Sequence, residues 1–384
     1  MGGRSRSIHR KAPSGDRCEV SRNRQCGKGR RGSGFAPRRE RQWRCANGDA
    51  MTRLRRMLWG LLAVALIAPA AAQDPAKGET SSEAEATLAA VVRVRAKAVQ
   101  GARSAASLGM RREGSGVLVR EGYVATIGYL VIEADSIEVT AMDGRTVPAS
   151  VAGYDHASGF GLLKLLAPLA AKPLPLGDAD ALAEREAAMV ASYGGRDAVS
   201  LAYVVSRRPF SGSWEYQLDS AIFTYPAVTE WSGAALINVR GELVGIGSLL
   251  VNDAAGAGAP SPGNLFVPVS LLQPILEDLI AGGRRAGPVR PWLGLYTEAL
   301  RGRLFVTRVS PDGPADRAGL KSGDIVVAVG GEDVSSLAEL YAKIWSRGAA
   351  GVDVPLRVLQ GLEVREITVR SIDRQEYFRQ KATY

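Results

Sequence analysis

From about Thr87 to Pro268 the sequence is a succession of short β-branched and apolar runs cut by glycine and polar turns. Examples are Gly116–Val119, Gly122–Val131, Ile137–Met142, Leu162–Leu166, Ala188–Tyr193, Leu201–Ser206, and the pair Ala235–Asn238 and Leu243–Ile246 around Arg240-Gly241. Strands at this spacing, with no long helical pattern between them, predict an all-β barrel or sandwich. A helical recurrence comes only afterwards, over Leu271–Ala281, where apolar residues at 271, 272, 275, 276, 279 and 280 repeat at three and four. Gly282-Gly283 should end that helix, and Arg284–Pro291, with two prolines, reads as a linker.

The last module, Trp292 to about Asp373, differs in character. Strands are expected near Leu304–Val309, Asp324–Val329, Val354–Val358 and Val364–Val369, with a helix over Ser336–Trp345 whose Leu337, Leu340, Tyr341 and Ile344 share one face. Mixed α and β over about 80 residues make a small independent domain. Residues 374–384 form a polar tail.

The formal net charge of +10 suggests a nucleic-acid or membrane partner only until its location is considered. Residues 1–50 hold 14 Lys+Arg against 4 Asp+Glu, so the remainder of the chain is neutral and no nucleic-acid partner is expected. All three cysteines (Cys18, Cys26, Cys45) lie in that same segment, and the only histidines are His9 and His156. A zinc cluster, a disulfide framework and a thiol nucleophile are thereby excluded from the body, and no metal or cofactor is expected.

Residues 1–50 are basic and without apolar periodicity, and are expected to be disordered or to precede the true start. Met51–Met57 is then a basic n-region, Leu58–Ala68 an apolar stretch, and Ala70-Ala71-Ala72 before Gln73 a small-residue cleavage site. Residues 51–72 therefore read as a secretory signal, giving a periplasmic or otherwise exported chain from Gln73. The alternative is an uncleaved anchor through 58–72, although this run is shorter than the roughly 20 residues that span a bilayer.

Three landmarks of the β region occur in order. They are Gly114-Ser115-Gly116-Val117-Leu118 with Gly122-Tyr123, then Asp143-Gly144-Arg145, then Ser232-Gly233 ahead of Leu236 and Gly241–Ile246. Trp292-Leu293-Gly294-Leu295, Gly313-Pro314-Ala315, Ala318-Gly319-Leu320 and Gly323–Val326 follow. Together they resemble the HtrA/Deg-type trypsin-like serine proteases with a C-terminal PDZ domain. The resemblance implies a mainly β fold: a trypsin-like double six-stranded β-barrel over 83–283, a linker over 284–291, and a small α+β PDZ domain over 292–373.

It also implies a serine nucleophile, a histidine base, an orienting aspartate and an oxyanion hole. Ser232 matches the nucleophile. The base position, in the stretch Thr126–Val131, holds Tyr129, and the aspartate position, before Phe160-Gly161-Leu162, holds Gly159. A tyrosine of ordinary pKa near 10 is a poor proton acceptor, and glycine orients nothing. Glu230 replaces the glycine two before the serine, bringing a Cβ and a negative charge to the oxyanion site. His156 is expected on the surface, Lys164 at a strand end, and neither as a substitute base; Trp231 and Tyr129 are expected to plug the cleft.

In the PDZ-like module, Trp292, Leu293, Gly294 and Leu295 match the loop whose backbone N–H groups, in the family, receive a peptide's C-terminal carboxylate. Leu293, Leu295, Leu337, Tyr341 and Ile344 are the expected apolar pocket, and the alternative reading is that they are ordinary core. The reading that follows is a pseudoprotease binding protein C-termini or unfolded segments, as adaptor, chaperone or regulator of an active relative. A homo-oligomer is a further expectation from relatives, and an active endopeptidase using Ser232 with a non-standard base is the alternative.

Overall fold

The computed structural model describes residues 83–378; the expected basic segment 1–50, the signal 51–72 and the end of the tail lie outside them. Twelve strands close into two barrels. The first contains β1 (Val91–Ala98), β2 (Arg111–Arg120), β3 (Tyr123–Ile127), β4 (Ala134–Thr140), β5 (Thr146–Tyr154) and β6 (Phe160–Leu165), in the order β1-β2-β3-β6-β5-β4. The second contains β7 (Ala187–Ala191), β8 (Val199–Gly212), β9 (Tyr216–Tyr225), β10 (Ala235–Ile237), β11 (Leu243–Val251) and β12 (Gly263–Pro268), ordered β10-β11-β12-β9-β8-β7. Closure pairs every edge, which strands this rich in β-branched residues need if they are not to pair with other chains.

Alternation along the strands turns one side chain in two inward. Val92, Val94, Phe160, Leu162, Leu236, Ile246 and Phe266 are fully buried, and one continuous apolar core runs through both barrels. Four of these strands, β1, β5, β9 and β12, were not singled out by the pattern of short apolar runs. β5 carries Pro148 and Gly153, and β9 carries Gln217, Asp219 and Ser220, so each reads as a turn or polar segment before its partners are known.

The helix expected over Leu271–Ala281 is shorter than its periodicity suggests. Residues Val269–Leu271 and Gln273–Ile275 form 3₁₀ turns, and only Leu276–Gly282 is α-helical. Pro274 explains the correction: lacking an N–H, it fits the first turn of a helix and not its interior.

The C-terminal module is a sheet of β13 (Leu295–Leu300), β14 (Arg303–Val309), β15 (Ile325–Val329), β16 (Glu332–Asp333), β17 (Asp353–Gln360) and β18 (Glu363–Arg370). Its order is β13-β14-β15-β17-β18, with β16 on β15. The helix Leu337–Trp345 is capped by Ser336, whose hydroxyl accepts from the Glu339 N–H at 3.2 Å, and it buries Leu340, Tyr341 and Ile344. Arg284–Pro291 is no free spacer. Arg284 pairs with Asp373 at 2.8 Å, Arg285 with Asp155 at 2.9 Å, and the Arg290 guanidinium lies 4.2 Å over the Trp345 ring.

Candidate functional site

Ser232 sits where the two barrels meet, and its backbone is pinned from both. The Ser115 N–H donates to the Ser232 carbonyl at 2.8 Å, while the Ser115 carbonyl accepts from Thr126 Oγ1 at 2.7 Å. Gly233 donates to the Gly247 carbonyl at 2.9 Å and adopts φ +72°, with Ser115 O only 1.9 Å from where a Cβ would stand. Glycine is required there twice over, by handedness and by contact. Glu230 is exposed, and its carbonyl accepts from Ser192 Oγ at 2.6 Å.

Tyr129 lies on a single 3₁₀ turn, Gly128–Leu130, between β3 and β4. Buried Arg112 fixes that turn by donating to the carbonyls of Tyr129 at 3.1 Å and Ile132 at 2.6 Å. The phenol oxygen is 2.9 Å from Ser232 Oγ and 2.9 Å from the Ser248 carbonyl. The phenolic O–H faces both acceptors, so its single proton is shared between Ser232 Oγ and the Ser248 carbonyl. Burial pushes the Tyr129 pKa up to about 12, with hydrogen bonds from Ser232 and Trp231 drawing it part of the way back. At neutral pH the group facing the serine is thus a neutral phenol. It packs against the barrel core, while Trp231 is half-buried.

Gly159, matched by the resemblance to the aspartate position, carries no side chain. The space beside it is taken by Tyr216, whose hydroxyl is 3.2 Å from where a Gly159 Cβ would stand and donates to the Ser158 carbonyl at 2.7 Å. His156 is not the surface residue its loop position suggests. Its ring lies 4.2 Å from Tyr154 and 6.0 Å from Phe378, and burial, then Arg374 and Arg284, hold its pKa well below the usual value. Lys164 is exposed on β6 opposite Ser150 and Tyr123. Among the described residues, no hydrogen bond joins either side chain to Ser232, and no three His, Cys, Asp or Glu converge on a metal position.

The loop at Trp292–Leu295 holds a group that sequence reasoning missed. The backbone N–H groups of Leu293, Gly294 and Leu295 donate to the Glu215 carboxylate at 2.9, 2.7 and 2.8 Å. Gly294 has φ +86°, which turns successive N–H groups toward one anion. Glu215 is the last residue of the three-residue connection between β8 and β9, and it too has a positive φ, 55°. Burial raises its pKa, opposed by those three bonds and by Arg374. Tyr341, expected in the pocket, is wholly buried and donates to the Gly212 carbonyl at 2.6 Å while accepting from the Glu215 N–H at 3.2 Å. Leu293, Leu295 and Ile344 belong to the buried core of the module, with Leu337 at its margin and Trp292 5% exposed. The residues assigned from sequence to a pocket thus lie in the core of the module or at its margin. No motif announces Glu215; its one signal is an acidic residue where a tight hairpin favours glycine or asparagine.

Two families match the chain: the Trypsin-like peptidase domain over residues 114–246 and the PDZ domain over 291–370. A probable periplasmic serine protease do/HhoA-like of Haemophilus influenzae is 31% identical over 283 residues, 70% of this chain and 60% of that protein. The periplasmic serine endoprotease DegP of Salmonella typhimurium is 30% identical over 274 residues, 67% of this chain and 55% of that protein. The chain thus spans little more than half the length of these relatives. A solved structure, the HtrA-type protease AlgW with decapeptide, aligns at 20% identity with a TM-score of 0.48, covering 78% of this chain and 99% of that one. The two consecutive domains, in this order and on this double-barrel and PDZ architecture, make the chain a member of the HtrA/DegP-type trypsin-like serine protease family with a C-terminal PDZ domain.

Proposed function

We propose that this is an exported, non-catalytic member of its family that binds protein C-termini or unfolded segments through its PDZ domain, as adaptor, chaperone or regulator of an active relative. One observation carries the loss of catalysis: the position matched to the base holds Tyr129, a neutral phenol that keeps its own proton between Ser232 Oγ and the Ser248 carbonyl. To take the serine proton in that state it would have to become an oxonium, far beyond what a general base at neutral pH can do. Glycine in the aspartate position removes the second support. Export is supported by the signal-like segment 51–72 and by the periplasmic designation of both relatives.

Residues 73–384, incubated with an unfolded protein and a serine-directed fluorophosphonate beside Ser232→Ala, are expected to show neither cleavage nor Ser232-dependent labelling. The second reading, an active endopeptidase, is favoured by the retained Ser232 hydroxyl and by the names of the relatives. It requires cleavage that vanishes in Ser232→Ala, and the same experiment decides between the two. Binding is tested at Gly294: a valine there, at positive φ and with Trp292 and Ser310 within 3.4 Å of its Cβ, should abolish peptide affinity.

A further inference from the structure

We propose that the hairpin tip Gly212–Glu215 is a built-in occupant of the PDZ groove, with the Glu215 carboxylate standing in for a peptide's terminal carboxylate, so that an external chain end gains access only when the hairpin withdraws. This rests on the peptide-binding reading above and adds its regulation and ligand class.

The mimicry is detailed. Three consecutive amides of the carboxylate loop converge on Glu215. Two residues beyond Leu295, the Thr297 N–H donates to the Ser213 carbonyl at 2.8 Å, which is the next step of an added strand on the free edge of β13. Tyr341, from the helix that forms the other wall, bonds the backbone of both Gly212 and Glu215. Carboxylate capture, strand augmentation and a helix wall are the three parts of peptide recognition, and one hairpin supplies the ligand side of all of them.

Two features argue that the contact is poised rather than merely structural. Glu215 holds a positive φ in the turn position where glycine would be unstrained, and such outliers persist where surrounding contacts hold them. Its carboxylate is buried against neutral amides, with Arg374 acting only through space. Trp214, stacked on Tyr216 at 5.7 Å, stiffens the tip so that it can leave or dock as a unit. A ligand that binds only the open state is weakened by the fraction of time the groove is open. The class admitted is an extended segment with a free α-carboxylate, since an internal segment has nothing to replace Glu215.

The test uses residues 73–384 as wild type, Glu215→Gly, which keeps the turn geometry without the carboxylate, and Glu215→Gln, which keeps its size without the charge. Amide hydrogen exchange at 293–297 is expected to accelerate about tenfold or more in Glu215→Gly and less in Glu215→Gln. Unchanged exchange overturns the latch whatever peptides do. Affinity is read by anisotropy with a pool of fluorescein-labelled decapeptides of random C-terminal residues, as free acids and as amides. Glu215→Gly should bind the free acids about tenfold or more tighter than wild type, with the amides unchanged. Equal affinity in wild type and variant overturns the gate. Faster exchange without any preference for the free acids overturns the receptor reading instead and leaves the Glu215 contact standing.

Discussion

Tyr129 divides its oxygen between Ser232 and the Ser248 carbonyl, and this division makes it structural chemistry with measurable consequences. Tyr129→Phe leaves a carbonyl without its donor at the barrel interface, an expected loss of about 1–3 kcal/mol in denaturant unfolding at pH 7. The folded pKa of about 12 exceeds the ordinary phenolic value, so the folded state holds the proton more tightly than the unfolded one. That contribution is complete below pH ~10 and declines as pH rises toward the folded value. The stability gap between wild type and Tyr129→Phe should accordingly shrink between about pH 10 and pH 12. Hydrolysis climbing steeply over the same interval would instead identify a phenolate base and revive the protease reading. Gly233 offers a second residue-scale test. Gly233→Ala adds strain at positive φ to a 1.9 Å contact with Ser115 O, and should cost about 3 kcal/mol or more by thermal denaturation.

At the scale of elements, legibility followed how local the signal was. The helix Leu337–Trp345 was readable because its apolar face and its Ser336 cap lie within ten residues; Ser336→Ala should lower stability by about 1 kcal/mol, as a shift in the urea midpoint without a change of slope. The segment 271–281 misled because apolar periodicity outweighed Pro274, whose missing N–H decides the local conformation. Motif order matches Tyr129, Gly159 and Ser232 to the family's triad positions, yet the hydrogen bond that joins Tyr129 to Ser232 spans 103 residues and has no local trace. Glu215 was least legible. Its meaning depends on a loop 78 to 80 residues away, and Ser213-Trp214-Glu215 alone reads as an ordinary turn. Leu293, Tyr341 and Ile344 lie in the buried core of the module, and Tyr341 also bonds the backbone of Gly212, a contact with no trace in the local sequence.

At the scale of the molecule, the PDZ module is held against the barrels by contacts from several separate segments. Arg103 donates to the Pro311 carbonyl and lies 3.7 Å from Asp312, the Arg284 and Arg285 pairs bind the linker, and the hairpin tip enters the groove. The exposed Arg103–Asp312 pair contributes little, because water and salt screen it and ordering long side chains costs entropy, whereas the Arg284 and Arg285 pairs each end on a buried aspartate. The buried hairpin contact carries the coupling: it desolvates a carboxylate and satisfies three amides that would otherwise lack partners when covered. Wild-type 73–384 should therefore unfold in one calorimetric transition, with the van't Hoff and calorimetric enthalpies in agreement. Glu215→Gly combined with Tyr341→Phe removes the anion and the hydroxyl that binds Gly212 and Glu215, while leaving both apolar cores filled. The double variant should resolve into two transitions, the PDZ module melting first because its smaller core buries less apolar surface. A single transition at nearly the wild-type temperature would mean that linker and ion-pair contacts suffice to couple the modules. The latch would then govern access to the groove without governing the unity of the fold.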